Sequence, residues 1–231
     1  MKIIIVVPCF NEEAVLQKNI EEILRVARNV PHDFRIVISD NNSKDGTGEI
    51  GKGLSEKFEI IDYIFVPKQG KGSAVMEAWK IYDDFDIYGF MDADLATDLS
   101  ALEPALEIIE EYDIAIGSRR IKGAKVKREF YRKITSRALN FLIRHFLHSK
   151  IKDTACGFKF FNRRAIQEIL SKVRDKQWTF DTELLILSER AGFKIKEIPV
   201  KWEEKKARTS RVVPLPTIMG YLKKIFELRK L

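Results

Sequence analysis

Apolar and polar positions along the first half of the chain follow two alternating rhythms. Short, nearly unbroken isoleucine and valine runs give way to longer stretches in which apolar residues recur every three or four positions. Residues 2–8 read as a buried strand that ends at Pro8. Residues 12–30 follow as a helix, with Val15, Leu16, Ile20, Ile23, Leu24 and Ala27 at helical spacing. The same pattern predicts strands over 34–40, 60–66, 86–91 and 113–116. Helices are predicted from the turn at 43–47, over 72–82 and over 100–111. Strand–helix alternation with continuous apolar strands predicts an α/β fold: a mostly parallel, Rossmann-like sheet with helices on both faces.

Past Gly117 the rhythm changes. Residues 127–148 read as a long basic helix with Ile134, Ala138, Phe141, Leu142 and Leu147 among its apolar positions. A β-like run at 157–161 follows, then helices from about Arg164 and over 181–191, and a strand over 194–201. Residues 217–231 are again basic and amphipathic. No repeat, low-complexity tract or Gly/Ser-rich linker divides the chain, so residues 1–231 read as one domain.

Composition agrees with that picture. At 231 residues, 45% hydrophobic and 32% charged, the chain has enough apolar material for a core and is not a disordered polymer. No apolar run approaches the roughly 18–20 residues of a spanning helix. The run before Pro8 reads as a strand and not as a signal peptide. Cys9 and Cys156 form no CxxC pair, which predicts reduced thiols and a cytoplasmic protein.

Charge changes the picture more. The net +7 conceals a division: residues 1–118 carry 11 Lys+Arg against 23 Asp+Glu, and residues 119–231 carry 30 against 11. Such asymmetry points to a polyanionic partner for the basic half, with a thermophile's charged surface as the competing explanation.

In open α/β sheets, ligands bind outside the carboxyl ends of the strands, and the unusual polar residues fall there. Asp92-Ala93-Asp94 closes the strand at 86–91 with two carboxylates at i and i+2, hard oxygen ligands suited to Mg²⁺ or Mn²⁺. The bland alternative is a turn pair before the next helix. Asp40 ends the second strand and is a candidate for a base or ribose, or an Asx-turn residue. Lys71, between Gly70 and Gly72, could place a cation near phosphate at a helix N-terminus, or be an ordinary turn lysine. The Walker A spacing is absent. Arg119, in Gly117-Ser118-Arg119-Arg120, suits a phosphate clamp or a solvated turn. Asp181 could face the cleft or cap a helix. His32, His145 and His148 lack HExxH spacing.

Taken in order, these segments resemble the inverting glycosyltransferases of family 2, with a GT-A fold. The resemblance rests on residues 6–13 (Val-Val-Pro-Cys-Phe-Asn-Glu-Glu), 40–47, Gly70-Lys71-Gly72, Asp92-Ala93-Asp94-Leu95 and Gly117-Ser118-Arg119. Residues 153–161 and 178–185 look like the polyprenyl-phosphate branch: dolichyl-phosphate glucosyltransferases and their mannose synthase relatives. The resemblance implies that Pro8, Phe10, Glu12 and Asp40 hold the base and ribose of a nucleotide sugar. Asp92, Ala93 and Asp94 would line its diphosphate and a metal at Asp92 and Asp94, and Arg119 with Arg211 would meet the acceptor phosphate. Residues 1–118 then form a nucleotide-sugar half and 119–212 an acceptor half, followed by a basic amphipathic helix over 213–231. Mannose synthases follow their D-x-D with Leu-Gln-His-Pro; this chain has Leu95-Ala96-Thr97-Asp98, nearer the glucosyltransferase form. Arg208-Thr209-Ser210-Arg211 lacks the glycine of the family's Gly-x-Ser-Lys segment.

The expected activity is metal-assisted transfer of a hexose, UDP-glucose being favoured over GDP-mannose, to dolichyl or polyprenyl phosphate at the cytosolic membrane face. A phosphate monoester is already an anionic nucleophile, so alignment and charge neutralisation should dominate, with Asp94 and Arg119 central. Asp181 is an orienting residue, or the base if the acceptor is a sugar hydroxyl. The basic stretches at 127–148 and 217–231 are candidates for peripheral contact with an anionic membrane, or for packing into the fold. A soluble sugar acceptor is the nearest rival. A nucleic-acid partner is disfavoured, because no zinc-finger spacing or RNP-like motif is present.

Overall fold

The computed structural model describes residues 1–127, 130–205 and 225–229. A seven-stranded sheet organises it, formed by β1 (Lys2–Cys9), β2 (Asp33–Asp40), β3 (Ile61–Phe65), β4 (Ile87–Met91), β5 (Ile114–Ser118), β7 (Phe158–Asn162) and β8 (Ile195–Pro199). The spatial order is β3-β2-β1-β4-β7-β5-β8. All neighbours are parallel except β7, which runs antiparallel between β4 and β5. Two three-residue strands, β6 (Lys125–Lys127) and β9 (Lys201–Glu203), pair as a small parallel ribbon.

The helices cover both faces, as period-3.6 apolar stripes on either side of a two-sided sheet require. On one face α1 (Leu16–Ala27), α2 (Thr47–Lys57) and α4 (Leu102–Ile109) pack Leu16, Ile20, Leu54, Leu102 and Leu106 onto Ile3, Ile5, Ile36 and Ile38. On the other, α3 (Lys71–Ile81), α6 (Arg163–Ile169) and α7 (Phe180–Arg190) pack Val75, Trp79, Ile166 and Leu184 onto Ile4, Val6, Phe90 and Phe161. Residues 3–7 of β1 are wholly buried, and each contributes about 1.5–3 kcal/mol of apolar burial. That explains a central strand with no polar face.

The elements expected from sequence are present with shifted ends. The first helix is shorter than 12–30, because residues 11–15 form a turn. The run at 194–201 is two strands, and they break at Val200. The basic stretch expected at 127–148 is the helix α5 (Phe130–Leu147). Its Ile143 and Leu147 pack with Ile186, Ile225 and Leu228, so this part of the helix is held in the fold, while Phe141 and Phe226 stay exposed. Of the expected C-terminal helix, residues 225–229 are helical and the rest lies outside the described residues. Among those described, no helix is long and apolar enough to cross a membrane.

The reversal of β7 positions the site. Because Met91 pairs with Phe158 and Phe90 with Lys159, the loop entering β7 arrives at the carboxyl end of β4, beside Asp92. Its Gly157 carbonyl accepts from the Asp92 amide at 2.9 Å.

Candidate active site

A cleft opens at the carboxyl ends of β1, β2 and β4. It is lined by Pro8 near the end of β1 and Phe10 just past it, Asn41 after β2, Lys71 at the start of α3, Asp92 and Ala93 after β4, and Trp178 before α7. Three non-glycine residues with left-handed backbones, Asn11, Asn42 and Leu95 (φ 54°, 63° and 45°), turn the chain sharply just past those three strand ends. Backbone strain of this kind clusters at ligand sites.

Lys71 lies at the centre of the charge arrangement. Its Nζ is 2.8 Å from Asp92 Oδ1 and 2.9 Å from Asp181 Oδ2, with the side chain only 8% exposed. The two carboxylates outweigh the cost of burial and push the Lys71 pKa up, so it stays an ammonium. Gly70 carries φ +141°, and a Cβ there would strike the Lys176 carbonyl, so only glycine makes this turn. Asn41 Oδ1 accepts from the Gly70 amide and braces the turn from β2. The sequence suggested that Lys71 places a cation near phosphate at this helix N-terminus, or is an ordinary turn lysine. The amides of Gly72 and Ser73 are engaged within the fold, donating to the carbonyls of Gln177 and Lys176. The cation, not the helix end, faces the cleft.

Asp92 and Asp94 end β4 side by side. Burial, and then the Asp92 charge, pushes the Asp94 carboxyl up to about 6. Asp94 Oδ1 accepts from the Ala96 amide at 3.1 Å, and the Asp92 carboxylate lies beside Gly157. A Cβ at position 157 would collide with the Asp92 carboxylate; the glycine leaves that carboxylate its place. Among the described residues, no cluster of three or more His, Cys, Asp or Glu side chains could hold a metal by itself. Two hard oxygens with room for phosphate and water fit Mg²⁺ or Mn²⁺.

Several expected residues sit elsewhere. Asp40 is buried below the cleft, with Oδ2 accepting from the Tyr63 hydroxyl at 2.8 Å and Oδ1 from the Ser43 amide at 3.0 Å. It closes the turn after β2 and does not line the cleft. Glu12 is also buried, its amide donating to Thr47 Oγ1 at 2.8 Å. Asp181 does not cap α7; Thr179 holds the N-cap position. The Asp181 carboxylate lies between two lysines, Lys71 and the wholly buried Lys159, whose Nζ is 3.1 Å from Oδ1. Burial raises its pKa, but Lys159 and then Lys71 more than offset this and leave it below the ordinary carboxylate range.

Arg119 is paired within the fold. The expected open clamp is a closed ion pair: Nε and Nη2 donate to Asp153 Oδ2 and Oδ1 at 2.7 and 2.8 Å, and the Arg119 amide donates to Oδ2 at 2.9 Å. The guanidinium also lies 5.4 Å over the Trp202 ring. Asp153 is wholly buried, and Arg119 holds its carboxyl below the usual range despite that burial. Arg211 lies outside the described residues.

A family model, Glycosyl transferase family 2, matches residues 4–170. The chain belongs to that family. It is 34% identical over 210 residues to Glycosyltransferase AglD of Haloferax volcanii, covering 89% of this chain and 34% of that protein. It is 33% identical over 212 residues to a dolichyl-phosphate beta-glucosyltransferase of Trichomonas vaginalis, covering 87% of this chain and 65% of the relative. The chain thus spans about a third to two thirds of these relatives' lengths. Among solved structures, glucosyl-3-phosphoglycerate synthase from Mycobacterium tuberculosis in complex with UDP superposes with a TM-score of 0.71 at 18% identity, covering 100% of this chain and 80% of that one. This likeness shows the fold, a GT-A glycosyltransferase domain.

Sequence reasoning missed Lys159, Asp153 and Trp178 as site-building residues. Lys159 had one signal: a lone charge inside the apolar run Gly157-Phe158-Lys159-Phe160-Phe161.

Proposed function

We propose that this glycosyltransferase domain moves glucose from UDP-glucose to dolichyl or polyprenyl phosphate, with inversion, at the cytosolic face of a membrane. The observation that carries the reading is the convergence of Lys71 and Asp92 on the cleft that Pro8, Phe10 and Ala93 also line, with the Asp94 carboxyl close enough to feel the Asp92 charge. Paired carboxylates with a buried ammonium suit a metal-bound sugar diphosphate. The acceptor class is supported by the relative in Trichomonas vaginalis, named for dolichyl phosphate and glucose. The structural neighbour was crystallised with UDP and, in another complex, with Mn²⁺ and UDP.

In this reading Asp92 and Asp94 hold Mg²⁺ or Mn²⁺, and Pro8, Phe10 and Ala93 border the base, ribose and diphosphate. When bound, the ion supplies Lewis-acid neutralisation of charge on the departing diphosphate. Lys71 adds a second positive charge to the same leaving group. Asp40 and Glu12 support the cleft floor from beneath. Asp181, engaged by two ammonium groups, is a poor proton acceptor, which suits an acceptor that arrives already ionised. Arg211 is assigned to the acceptor phosphate, and Arg119 to anchoring the turn after β5. Peripheral membrane contact is assigned to α5 and residues 225–229, where Phe141 and Phe226 are exposed.

The test offers UDP-glucose, GDP-mannose and UDP-N-acetylglucosamine separately, with Mg²⁺ or Mn²⁺ and a short polyprenyl phosphate. The expected product is glucosyl polyprenyl phosphate from UDP-glucose alone. Transfer from GDP-mannose alone, or turnover that does not depend on the lipid phosphate, overturns the reading.

A further inference from the structure

Lys159 is a charged residue in a place built for an apolar one. It sits in the middle of β7, paired in register with Phe90 of β4 and Ile116 of β5, and is wholly buried between Phe158 and Phe160. Its ammonium donates to Asp181 Oδ1 at 3.1 Å and to the Cys156 carbonyl. The other oxygen of Asp181 takes Lys71 at 2.9 Å, and Lys71 in turn reaches Asp92 at 2.8 Å. Both ammonium groups lie over the Phe90 ring, 4.9 Å away for Lys71 and 5.2 Å for Lys159. Lys159, Asp181, Lys71 and Asp92 thus form one alternating chain of charges, running from the sheet interior to the cleft edge.

A buried ion pair is seldom more stabilising than apolar residues of the same shape, so the fold does not call for a lysine at 159. The cleft does. A lysine side chain is a flexible four-carbon stem, and among the described residues Asp92 is what holds Lys71 on the cleft side. The proposed function gives that same carboxylate to a metal, which leaves Asp181 as the anchor. With Asp181 alone behind it, Lys71 would be neutralised from the inside. Lys159 supplies the balancing charge, so the positive charge of Lys71 is left for an anion in the cleft.

We propose that Lys159 and Asp181 are positioning residues that hold the Lys71 ammonium, with its charge uncompensated, against the diphosphate of a nucleotide sugar. This rests on the assignment of the cleft to a nucleoside diphosphate sugar.

The test compares the affinities of UDP and uridine by calorimetry, with GDP and guanosine in their place if the wild type selects guanine. Lys71→Met sets the reference: UDP affinity falls about tenfold and uridine affinity stays within about twofold. The charge-balanced double variant Lys159→Met/Asp181→Asn, which leaves no buried charge unpaired, should keep its Tm within a few degrees. Its UDP affinity should fall at least about fivefold, again with uridine nearly unchanged. Lys159→Met alone, which lets Asp181 neutralise Lys71, should fall at least as far. A wild-type ratio of UDP to uridine affinity in the double variant overturns the proposal, as does an equal loss for both ligands, the mark of a merely structural role. An unchanged ratio in Lys71→Met overturns it as well. If the wild type binds neither UDP nor GDP, the proposed function itself fails, and the anchoring proposal falls with it.

Discussion

Two buried ion clusters stand after strands β5 and β4, which flank β7 in the sheet, and they are built oppositely. After β5, Arg119 and Asp153 close on each other: the bidentate fork and a backbone amide satisfy both carboxylate oxygens. After β4, the cluster of Lys71, Asp92, Asp94 and Asp181 stays open. Lys71 and Asp92 line the cleft, and the Asp94 carboxyl is pushed up to about 6 by burial and its neighbour's charge. The closed cluster spends its charges on itself. The open one keeps charge in a strained arrangement that a ligand can relieve. Burial and charge alone therefore do not mark a functional residue; unfinished compensation at a cleft does.

The largest expected effect separates the two clusters by activity. Asp94→Ala should lower transfer by about three orders of magnitude, comparable to the several kcal/mol that charge stabilisation at a leaving group supplies. Its Tm should not fall below that of the wild type, because the destabilising Asp94 ionisation goes with the side chain. Initial rates with donor and acceptor saturating, alongside thermal melts, check this. Near-normal turnover would remove the open cluster from catalysis.

The closed cluster should respond in the other direction. Arg119→Met leaves Asp153 buried and unpaired, at a cost of about 3–5 kcal/mol, or a Tm lower by about 10 °C for a domain of this size. The charge-neutral pair Arg119→Met/Asp153→Leu should recover most of that stability and keep transfer within about threefold. Recovered stability with a sharply raised KM for the polyprenyl phosphate would return Arg119 to the acceptor site and erase the distinction drawn between the clusters.

The contrast also shows what the sequence makes legible. The parallel strands were readable because apolar runs such as residues 3–7 have no other home than a two-sided sheet. Asp92 and Asp94 were readable because two carboxylates just past a buried strand have few uses. The direction of β7 was not, since a five-residue run carries no sign of its polarity, and that reversal is what brings Gly157 to Asp92 and Lys159 to Asp181. Arg119 read as a clamp because its partner lies 34 residues away. Lys159 was passed over for the same reason: its burial is set by Phe90 and Asp181, both remote in sequence. Local chemistry shows at strand ends; pairing across the sheet does not.

The smallest effect probes the strain in the open cluster. An ordinary aspartate loses its proton near about 3.9, whereas Asp94 in the folded chain holds it to about 6. Between those values the folded state binds more protons than the unfolded one, so stability falls as pH rises through that window, and the deficit is complete above it. Asp94→Asn removes the ionisation and keeps an oxygen for the Ala96 amide. In the presence of a chelator at pH 7.5 it should be more stable than the wild type, by on the order of 1–3 kcal/mol. That advantage should shrink towards zero as pH is lowered to about 4, where the wild-type carboxyl is protonated in the folded state. Paired thermal melts from pH 4 to 8 check the sign. A variant less stable than the wild type at pH 7.5 would mean that the Asp94 charge is compensated within the fold, and the open cluster would then be as closed as its neighbour.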